Sequence, residues 1–196
     1  MSKILEQLAT KLAETGCNKL YCVVGPSGSG KSTVTWSIEE TLAKMGAPCV
    51  LKAVASMTTR LPRYPGEPGH VYVSKAEFDT YEMVAYTMFD GNEYGVPAFM
   101  LDECSLYVID IEGVKTLRER YHGKPLVVVY LDITPEEAAR RMRVRGDSEE
   151  KIRKRLANDE VMFADMEGLA PDYILDANGN EQETLDRLCS VILETL

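Results

Sequence analysis

Short apolar runs alternate with amphipathic stretches along most of the chain. Residues 3–15 place their apolar side chains on one helical stripe before Gly16, which predicts an N-terminal helix. The apolar runs that predict strands lie at 20–24, 50–55, 106–110, 126–131 and 173–175. The stretches that predict helices lie at 32–45, from about 112 to 121, from 135 onward, at 148–166 and at 181–196. This rhythm predicts an α/β fold with a parallel β-sheet flanked by helices.

The stretch from 56 to 97 breaks this rhythm. It begins with a loop rich in proline and glycine at 61–69, and two strand-like pieces, 71–73 and 83–89, follow with a helical segment at 75–81 between them. Because 196 residues are enough for one well-buried core and too few for two ordinary domains, we interpret this stretch as a small, partly β insertion into a single domain.

Composition and charge narrow the class of protein. Apolar residues make up 45% and charged residues 27%, the balance of a globular chain in water. The net charge of −9 disfavours general binding of nucleic acid, so we expect no nucleic-acid partner. The N-terminus lacks a signal-peptide pattern and no apolar run approaches about 18 residues, so we expect a cytoplasmic protein with no membrane partner. The five cysteines are scattered and odd in number, which predicts neither a zinc site nor a disulfide framework.

The first predicted strand runs into a glycine-rich loop and then a helix. The loop fits G-x-x-x-x-G-K-[ST] at every position, and its candidate phosphate-binding residues are Gly25, Ser27, Gly28, Ser29, Gly30, Lys31, Ser32 and Thr33. The glycines let backbone N–H groups curl around a phosphate at the positive end of the helix. In such loops the lysine reaches the β- and γ-phosphates and the following hydroxyl binds Mg²⁺. Although a turn can match by chance, strand, loop and helix occur here in the required order, which predicts nucleoside triphosphate binding.

Three further groups of charged residues are candidates for phosphate chemistry. Arg60 and Arg63 follow a predicted strand and can clamp an acceptor phosphate, although such a pair is also a common surface feature. Asp110 ends an apolar strand and can support Mg²⁺, or it can simply cap the next helix. Residues 140–155 hold eight of the 22 lysines and arginines, either as a solvated helix face or as an anion site that closes over transferring phosphates.

These motifs together resemble the guanylate kinases, and the resemblance extends from Leu20 over nearly all of the remaining chain. The chain carries, in this order, GPSGSGKST, SMTTRLPR, GE, VYVS, GNEYG, VIDIEGVK and RMRVRGDSEEKIRKRL. The resemblance implies a phosphate-loop NTPase core, an inserted acceptor-binding domain and a helical lid in a single guanylate kinase-like domain. The implied ranges are an N-terminal helix at 1–16, the core at 17–55, 98–137 and 159–196, the insertion at 56–97 and the lid at 138–158.

The resemblance also implies an activity and a role for each matching residue. It implies an ATP-dependent nucleoside monophosphate kinase that acts on GMP or dGMP with Mg²⁺ as cofactor. Lys31, Ser32 and the loop amides are implied at ATP and Mg²⁺, and Ser56, Arg60, Arg63 and Tyr94 at the acceptor phosphate. Asp110 is implied between the metal and the acceptor base. Arg141, Arg145 and Arg155 are implied on the transferring phosphoryl group, with Lys31 as the fourth catalytic residue.

The sequence departs from the family in the predicted acceptor site. His70 replaces a phosphate-binding tyrosine, and as a hydrogen-bond donor it stays a candidate residue for binding the acceptor. Ala85 and Val96 replace the glutamate and the hydroxyl residue that read guanine, and Val108 replaces an aspartate. Because the insertion is shorter than in the family, Glu82 and Thr87 are alternative base-reading residues.

These departures leave the acceptor open. His70, Ala85 and Val96 also resemble the related ribose bisphosphate phosphokinases, so a ribose 1,5-bisphosphate acceptor or another deoxynucleotide is the alternative. A non-catalytic guanylate kinase-like interaction module is a third interpretation, which the presence of Lys31 and the lid arginines disfavours. The stripe at 3–15 either packs on its own core or forms a dimer contact, so a homodimer is also open.

Overall fold

Two four-stranded sheets organise the chain in the computed structural model, which describes residues 2–47, 51–164 and 166–196. The helices are α1 (Lys3–Thr15), α2 (Lys31–Lys44), α3 (Lys75–Phe78), α4 (Phe99–Asp102), α5 (Ile111–Arg120), α6 (Pro135–Val144), α7 (Glu149–Met162), α8 (Met166–Leu169) and α9 (Glu181–Thr195). The strands are β1 (Leu20–Val24), β2 (Ser56–Thr58), β3 (His70–Tyr72), β4 (Met83–Phe89), β5 (Asn92–Pro97), β6 (Leu106–Val108), β7 (Leu126–Asp132) and β8 (Tyr173–Asp176).

The first sheet is parallel and has the order β6-β1-β7-β8. All five residues of β1 are buried, and Val23 lies opposite Val108 on one side and Val129 on the other. Apolar clusters cover both faces of this sheet. A strand buried on both faces needs a continuous apolar run rather than an alternating one, which is why residues 20–24 read as they do. The predicted parallel sheet is therefore confirmed.

The predicted strand at 50–55 is wrong over its described part, and Val50 lies outside the described residues. Residues 51–55 run beside β6 and make a single parallel bridge between Ala53 and Leu106. Two backbone hydrogen bonds accompany it, from the Leu106 N–H to the Lys52 oxygen at 3.0 Å and from the Val54 N–H to the Leu106 oxygen at 2.8 Å. The segment therefore pairs with β6 at one position only, and the chain then enters the second sheet at Ser56.

The second sheet is built entirely within residues 56–97 and has the order β3-β2-β5-β4. Strands β4 and β5 form an antiparallel hairpin whose turn places Asp90 and Gly91 at positive φ, a conformation typical of two-residue hairpin turns. The predicted helix at 75–81 is limited to α3. This sheet adds a small apolar cluster of its own, formed by Met57, Phe78 and Met83.

The helices around the phosphate loop begin where the sequence places capping residues. Thr134 accepts a hydrogen bond from the Glu137 N–H at 3.3 Å and Pro135 is the first residue of α6, as predicted. Ser148 accepts a hydrogen bond from the Lys151 N–H and starts α7. The predicted helix at 148–166 ends earlier, at Met162, and the separate short helix α8 follows it.

Helix α1 packs against α9, as the N-terminal stripe predicts. Leu5, Leu8 and Leu12 are buried in the same cluster as Leu188 and Ile192 of α9. The stripe is thus used within the chain, and a homodimer stays a prediction. No helix in the described ranges is long and apolar enough to span a lipid bilayer.

Candidate active site

The phosphate loop is held tightly between the end of β7 and the start of α6. A Cβ added at Gly25 lies only 2.7 Å from the Leu131 carbonyl oxygen, and one added at Gly28 lies 2.9 Å from the Ala138 carbonyl oxygen. Gly28 also has a φ of +81°, a backbone conformation that residues with a Cβ atom rarely adopt. Both glycines are therefore needed for the close approach of the loop to its neighbours.

Lys31 is the first residue of α2 and folds back over this loop. Its Nζ donates to the carbonyl oxygens of Gly25 at 2.5 Å and Pro26 at 2.8 Å. Loss of hydration around the amine lowers the pKa of Lys31 to about 8, and the Asp159 carboxylate opposes that shift. The amine lies at the centre of the loop, where the sequence motif predicts the contact with the β- and γ-phosphates.

A cavity of about 620 Å³ opens beside the loop, and we call it the donor cavity. Its lining brings together residues from the loop, from α6 and α7, and from the segment before α9. The residues in that lining are Ser27–Val34, Arg140–Met142, Arg145, Arg155, Gly179–Glu181 and Thr184. Of the predicted loop residues, Gly25 alone is outside this lining. The sequence predicted a helix from 181 but no part in phosphate binding for residues 179–184, whose capping pattern of Asn180 and Glu183 marks only the start of α9.

The three predicted lid arginines all line the donor cavity, but they differ in their partners within the protein. Arg141 donates to the carbonyl oxygens of Gly28 at 3.3 Å, Ala177 at 2.6 Å and Gly179 at 2.7 Å. It therefore connects the loop after β8 to the phosphate loop. Arg145 is about half exposed and pairs with Asp147. A contact between each of these arginines and a transferring phosphoryl group stays a prediction.

Arg155 lies on α7 and lines the donor cavity. Within the part of the chain that the structure describes, its guanidinium makes no hydrogen bond or ion pair. Of the three lid arginines it is therefore the one that can bind a phosphoryl oxygen without first giving up a protein partner.

A second cavity of about 320 Å³, which we call the acceptor cavity, lies on the other side of the loop. Five aromatic side chains form much of its wall, namely Tyr86, Phe89, Tyr94, Tyr107 and Phe163. The predicted acceptor residues in its lining are Ser56, Arg63, His70, Tyr94 and Asp110. Arg60 is not part of this lining. Ser27 and Lys31 line both cavities, so the phosphate loop forms the rim between them.

The two predicted clamp arginines differ because Glu67 holds the Arg60 guanidinium closely and the Arg63 guanidinium only through an ion pair of 3.6 Å. Arg60 donates to both oxygens of Glu67, at 3.2 and 2.9 Å, and to the Tyr72 hydroxyl at 3.2 Å, and only 15% of its side chain is exposed. The Arg60 guanidinium and the Arg63 N–H lower the pKa of Glu67 to about 2. Arg63 is 69% exposed and borders the acceptor cavity. Contact of Arg60 with an acceptor phosphate stays a prediction.

His70 lies at the cavity wall with Ser56 and Tyr94. Its Nδ1 and the Ser56 hydroxyl share a hydrogen bond of 2.9 Å, and its ring meets the Tyr94 ring edge-on with centroids 5.6 Å apart. Burial lowers the pKa of His70, with the Arg60 charge adding to the effect, so the imidazole is neutral near pH 7. A neutral imidazole ring can still make one hydrogen bond, as donor or acceptor, with a bound substrate.

The positions aligned with the family's guanine-reading residues are not part of the lining of this cavity. Ala85 and Val96 pair across the β4–β5 hairpin with 1% and 0% exposure, and both belong to the apolar core. Of the two alternatives, Glu82 is exposed and outside the lining, whereas Thr87 is in it. The Thr87 side chain is also close enough to lower the pKa of the Asp110 carboxylate. Of the two alternatives, Thr87 is therefore the one that borders the acceptor cavity, and its role in reading a base stays a prediction.

Asp110 caps the next helix, which is one of the two roles considered for it, and its role at Mg²⁺ stays a prediction. Its Oδ1 caps α5 by accepting from the Gly113 N–H at 2.7 Å, and its carboxylate also lines the acceptor cavity. Burial raises the pKa of Asp110, against the hydrogen bonds from Gly113 and Thr87. Ser32 and Asp110 both present oxygen atoms, the ligands that Mg²⁺ prefers, and they fit that ion chemically. They lie in the linings of different cavities, Ser32 beside the donor and Asp110 beside the acceptor.

Similarity to known proteins agrees with this arrangement. A family described as "AAA domain" matches residues 22–164. The guanylate kinase of Geobacter metallireducens is 32% identical over 190 residues, which cover 89% of this chain and 87% of that protein. The chain belongs to the guanylate kinase family. Ribose 1,5-bisphosphate phosphokinase PhnN of Pseudomonas paraeruginosa is 33% identical over 181 residues, which cover 87% of this chain and 92% of that protein.

A solved structure shows that the guanylate kinase fold extends over nearly the whole chain. The crystal structure of guanylate kinase from Anaplasma phagocytophilum matches with a TM-score of 0.58 and 20% identity, over 91% of this chain and 87% of that one. The predicted fold class and family are therefore confirmed, and the chain is a phosphotransferase of this family.

Proposed function

We propose that the protein transfers the γ-phosphoryl group of ATP to the phosphate of a nucleoside monophosphate, with GMP and dGMP as the leading acceptors. The observation that carries this proposal is that Ser27 and Lys31 border both cavities. A phosphate loop at the rim between two cavities suits a direct transfer from a donor in one to an acceptor in the other. Such a reaction needs positioning and charge neutralisation rather than a covalent protein nucleophile.

Each side of the rim supplies groups for one substrate. On the donor side, the loop N–H groups and Lys31 bind the β- and γ-phosphates of ATP, and Arg155 neutralises charge on the group in transfer with Arg145 beside it. On the acceptor side, Arg63 and the hydroxyls of Ser56 and Tyr94 bind the acceptor phosphate. The hydrogen bonds of Arg141 to Gly28 and Gly179 hold the segment before α9 against the phosphate loop.

Ser32 and Asp110 are the residues that would hold Mg²⁺, from the donor and the acceptor side respectively. When bound, Mg²⁺ neutralises the charge on the β- and γ-phosphate oxygens. The Gly113 N–H holds the Asp110 carboxylate in position.

The walls of the acceptor cavity favour a nucleotide over a sugar phosphate. Five aromatic rings border about 320 Å³, and aromatic faces stack with nucleobases of any identity. A phosphokinase for a ribose bisphosphate is the second candidate, because the PhnN relative covers the chain as fully as the guanylate kinases do and His70 lies at the wall. ATP and such an acceptor are cytoplasmic metabolites, which fits a cytoplasmic location.

An ADP-release assay over a panel of acceptors tests the proposal. We expect the highest kcat/KM with GMP or dGMP, measurable turnover with related nucleotides, and loss of turnover in Lys31→Ala with an unchanged circular dichroism spectrum. Preference for ribose 1,5-bisphosphate would favour the second candidate. A wild-type protein that turns over no acceptor, or a Lys31→Ala variant as active as the wild type, would overturn the assignment.

A further inference from the structure

Helix α7 is joined to the phosphate loop by a contact that the function proposed above does not use. The Ser27 N–H donates to Oδ2 of Asp159 at 2.9 Å, across 132 residues of sequence. Asp159 also lines the acceptor cavity beside Lys31. The bond therefore ends on the rim between the two cavities, where the phosphoryl group must pass.

Helix α7 has little buried apolar surface. Of its fourteen residues, all of them described, only Ile152 is buried. Leu156 is partly buried against the same cluster, and Met162 at the end of α7 is partly buried against the apolar cluster on the other face of the sheet. Residues spaced by three or four positions share one face of a helix, so Ile152, Leu156 and Asp159 lie along one stripe. Asp159 lies about two helical turns, or roughly 10 Å, beyond the buried Ile152 along this stripe, and its bond to Ser27 fixes that part of α7.

Arg155 lies on that same stripe, one turn before Asp159. It lines the donor cavity, and its guanidinium has no hydrogen bond or ion pair within the described ranges. No direct contact of its own thus fixes where Arg155 points. Its position over the loop depends on the attachment of the helix that carries it.

We propose that Asp159 is a positioning residue, which fixes α7 on the phosphate loop through the Ser27 N–H and so places Arg155 over the transferring phosphoryl group. The inference rests on the proposed function, in which Arg155 contacts that group. Because a misplacement of about 1 Å can cost on the order of 10²-fold in rate, one hydrogen bond from a helix with a single buried residue can matter for catalysis.

Steady-state kinetics of five variants test the proposal. Asp159→Ala should lower kcat roughly 10- to 100-fold while KM for ATP changes less than about threefold, because the ATP-binding loop itself is kept. Asp159→Asn should retain most of the activity, since its amide oxygen can accept the same N–H. Glu160→Ala removes a neighbouring exposed carboxylate of α7 and should match the wild type. If Asp159 acts through Arg155, the double variant Asp159→Ala/Arg155→Ala should be no slower than Arg155→Ala within about twofold.

Several results would overturn the proposal. Additive losses in the double variant would show that Asp159 acts independently of Arg155, and an equal loss in Glu160→Ala would show a general effect of charge on α7. A lower KM for ATP with unchanged kcat in Asp159→Ala would show that the carboxylate competes with phosphate for the loop.

Amide hydrogen exchange keeps this test separate from the proposed function. Asp159→Ala should speed exchange in residues 153–162 relative to the wild type and to Glu160→Ala. If the wild type turns over no acceptor, the proposed function fails, and the exchange data still decide whether Asp159 fixes α7. Unchanged exchange in that segment would refute the positioning role.

Discussion

Replacing Gly28 by alanine should damage both the fold and the activity, because two separate costs meet at this position. Its φ of +81° is unfavourable for any L side chain, which costs about 1 to 2 kcal/mol. The added Cβ also lies 2.9 Å from the Ala138 carbonyl oxygen, a backbone atom that moves only if α6 or the loop moves. Overpacking of this kind costs about 1 to 3 kcal/mol more. The expected total loss of unfolding free energy is therefore about 2 to 5 kcal/mol.

Gly46 offers a matched control for this substitution. Its φ is +68°, yet a Cβ added there meets nothing within 4 Å. Gly46→Ala should thus lose only the conformational cost of about 1 to 2 kcal/mol. For a chain of this size each kcal/mol lowers Tm by about 2 to 4 °C, so thermal unfolding can separate the two variants.

Activity should separate the two variants further. Gly28→Ala must shift the loop that carries Lys31, so we expect kcat for ADP release to fall by up to about 100-fold, with Gly46→Ala close to the wild type. Both variants should be assayed well below their melting temperatures. A Gly28→Ala protein that matches Gly46→Ala in both Tm and kcat would refute the reasoning that the close contact with α6 sets the loop.

Three further predictions concern the acceptor side. Arg63→Ala should raise KM for the acceptor about 10- to 150-fold, the equivalent of a charge-assisted hydrogen bond of about 1.5 to 3 kcal/mol, and an equal rise in KM for ATP would contradict its placement. Ala85→Glu buries a carboxylate in the apolar core and should cost on the order of 4 kcal/mol of stability without improving guanine selectivity, so a stable and more selective variant would show that position 85 faces the ligand. The only tryptophan, Trp36, lies 3.0 Å from the position of a Cβ added at Gly69. Its fluorescence should therefore change if the 56–97 segment closes when an ATP analogue and the acceptor are both bound. Constant emission would argue against closure.

The sequence by itself determined the features whose interactions are local. The phosphate loop needs nine consecutive residues, and its glycines, lysine and hydroxyl act within that stretch, so the motif identified it directly. The start of α6 at Thr134 and Pro135 was predictable for the same reason, because a capping side chain bonds to an N–H three residues away. The stripe of α1 was equally clear, since helical spacing can be read without knowing what covers it.

Only the tertiary structure decided which side chains face the acceptor. Ala85 and Thr87 are two residues apart in the regular part of β4, so their side chains lie on the same face of the strand. The apolar core covers Ala85 and the acceptor cavity borders Thr87, a distinction that counting along the sequence left open. The edge segment 51–55 likewise reads as a strand from its apolar run, and its partners along β6 limit it to one bridge.

The partners of the charged groups were the part of the site that the sequence predicted least. Arg60 and Arg63 look equivalent in the sequence, but Glu67 accepts two close hydrogen bonds from Arg60 beside Tyr72. Arg63 pairs with the same carboxylate only at 3.6 Å and stays mostly exposed. Asp159 carries no motif, and its bond to the Ser27 N–H exists because α7 folds back over a loop 132 residues earlier. The energy of such a contact depends on distance and burial rather than on spacing in the chain, so only the folded protein reveals it.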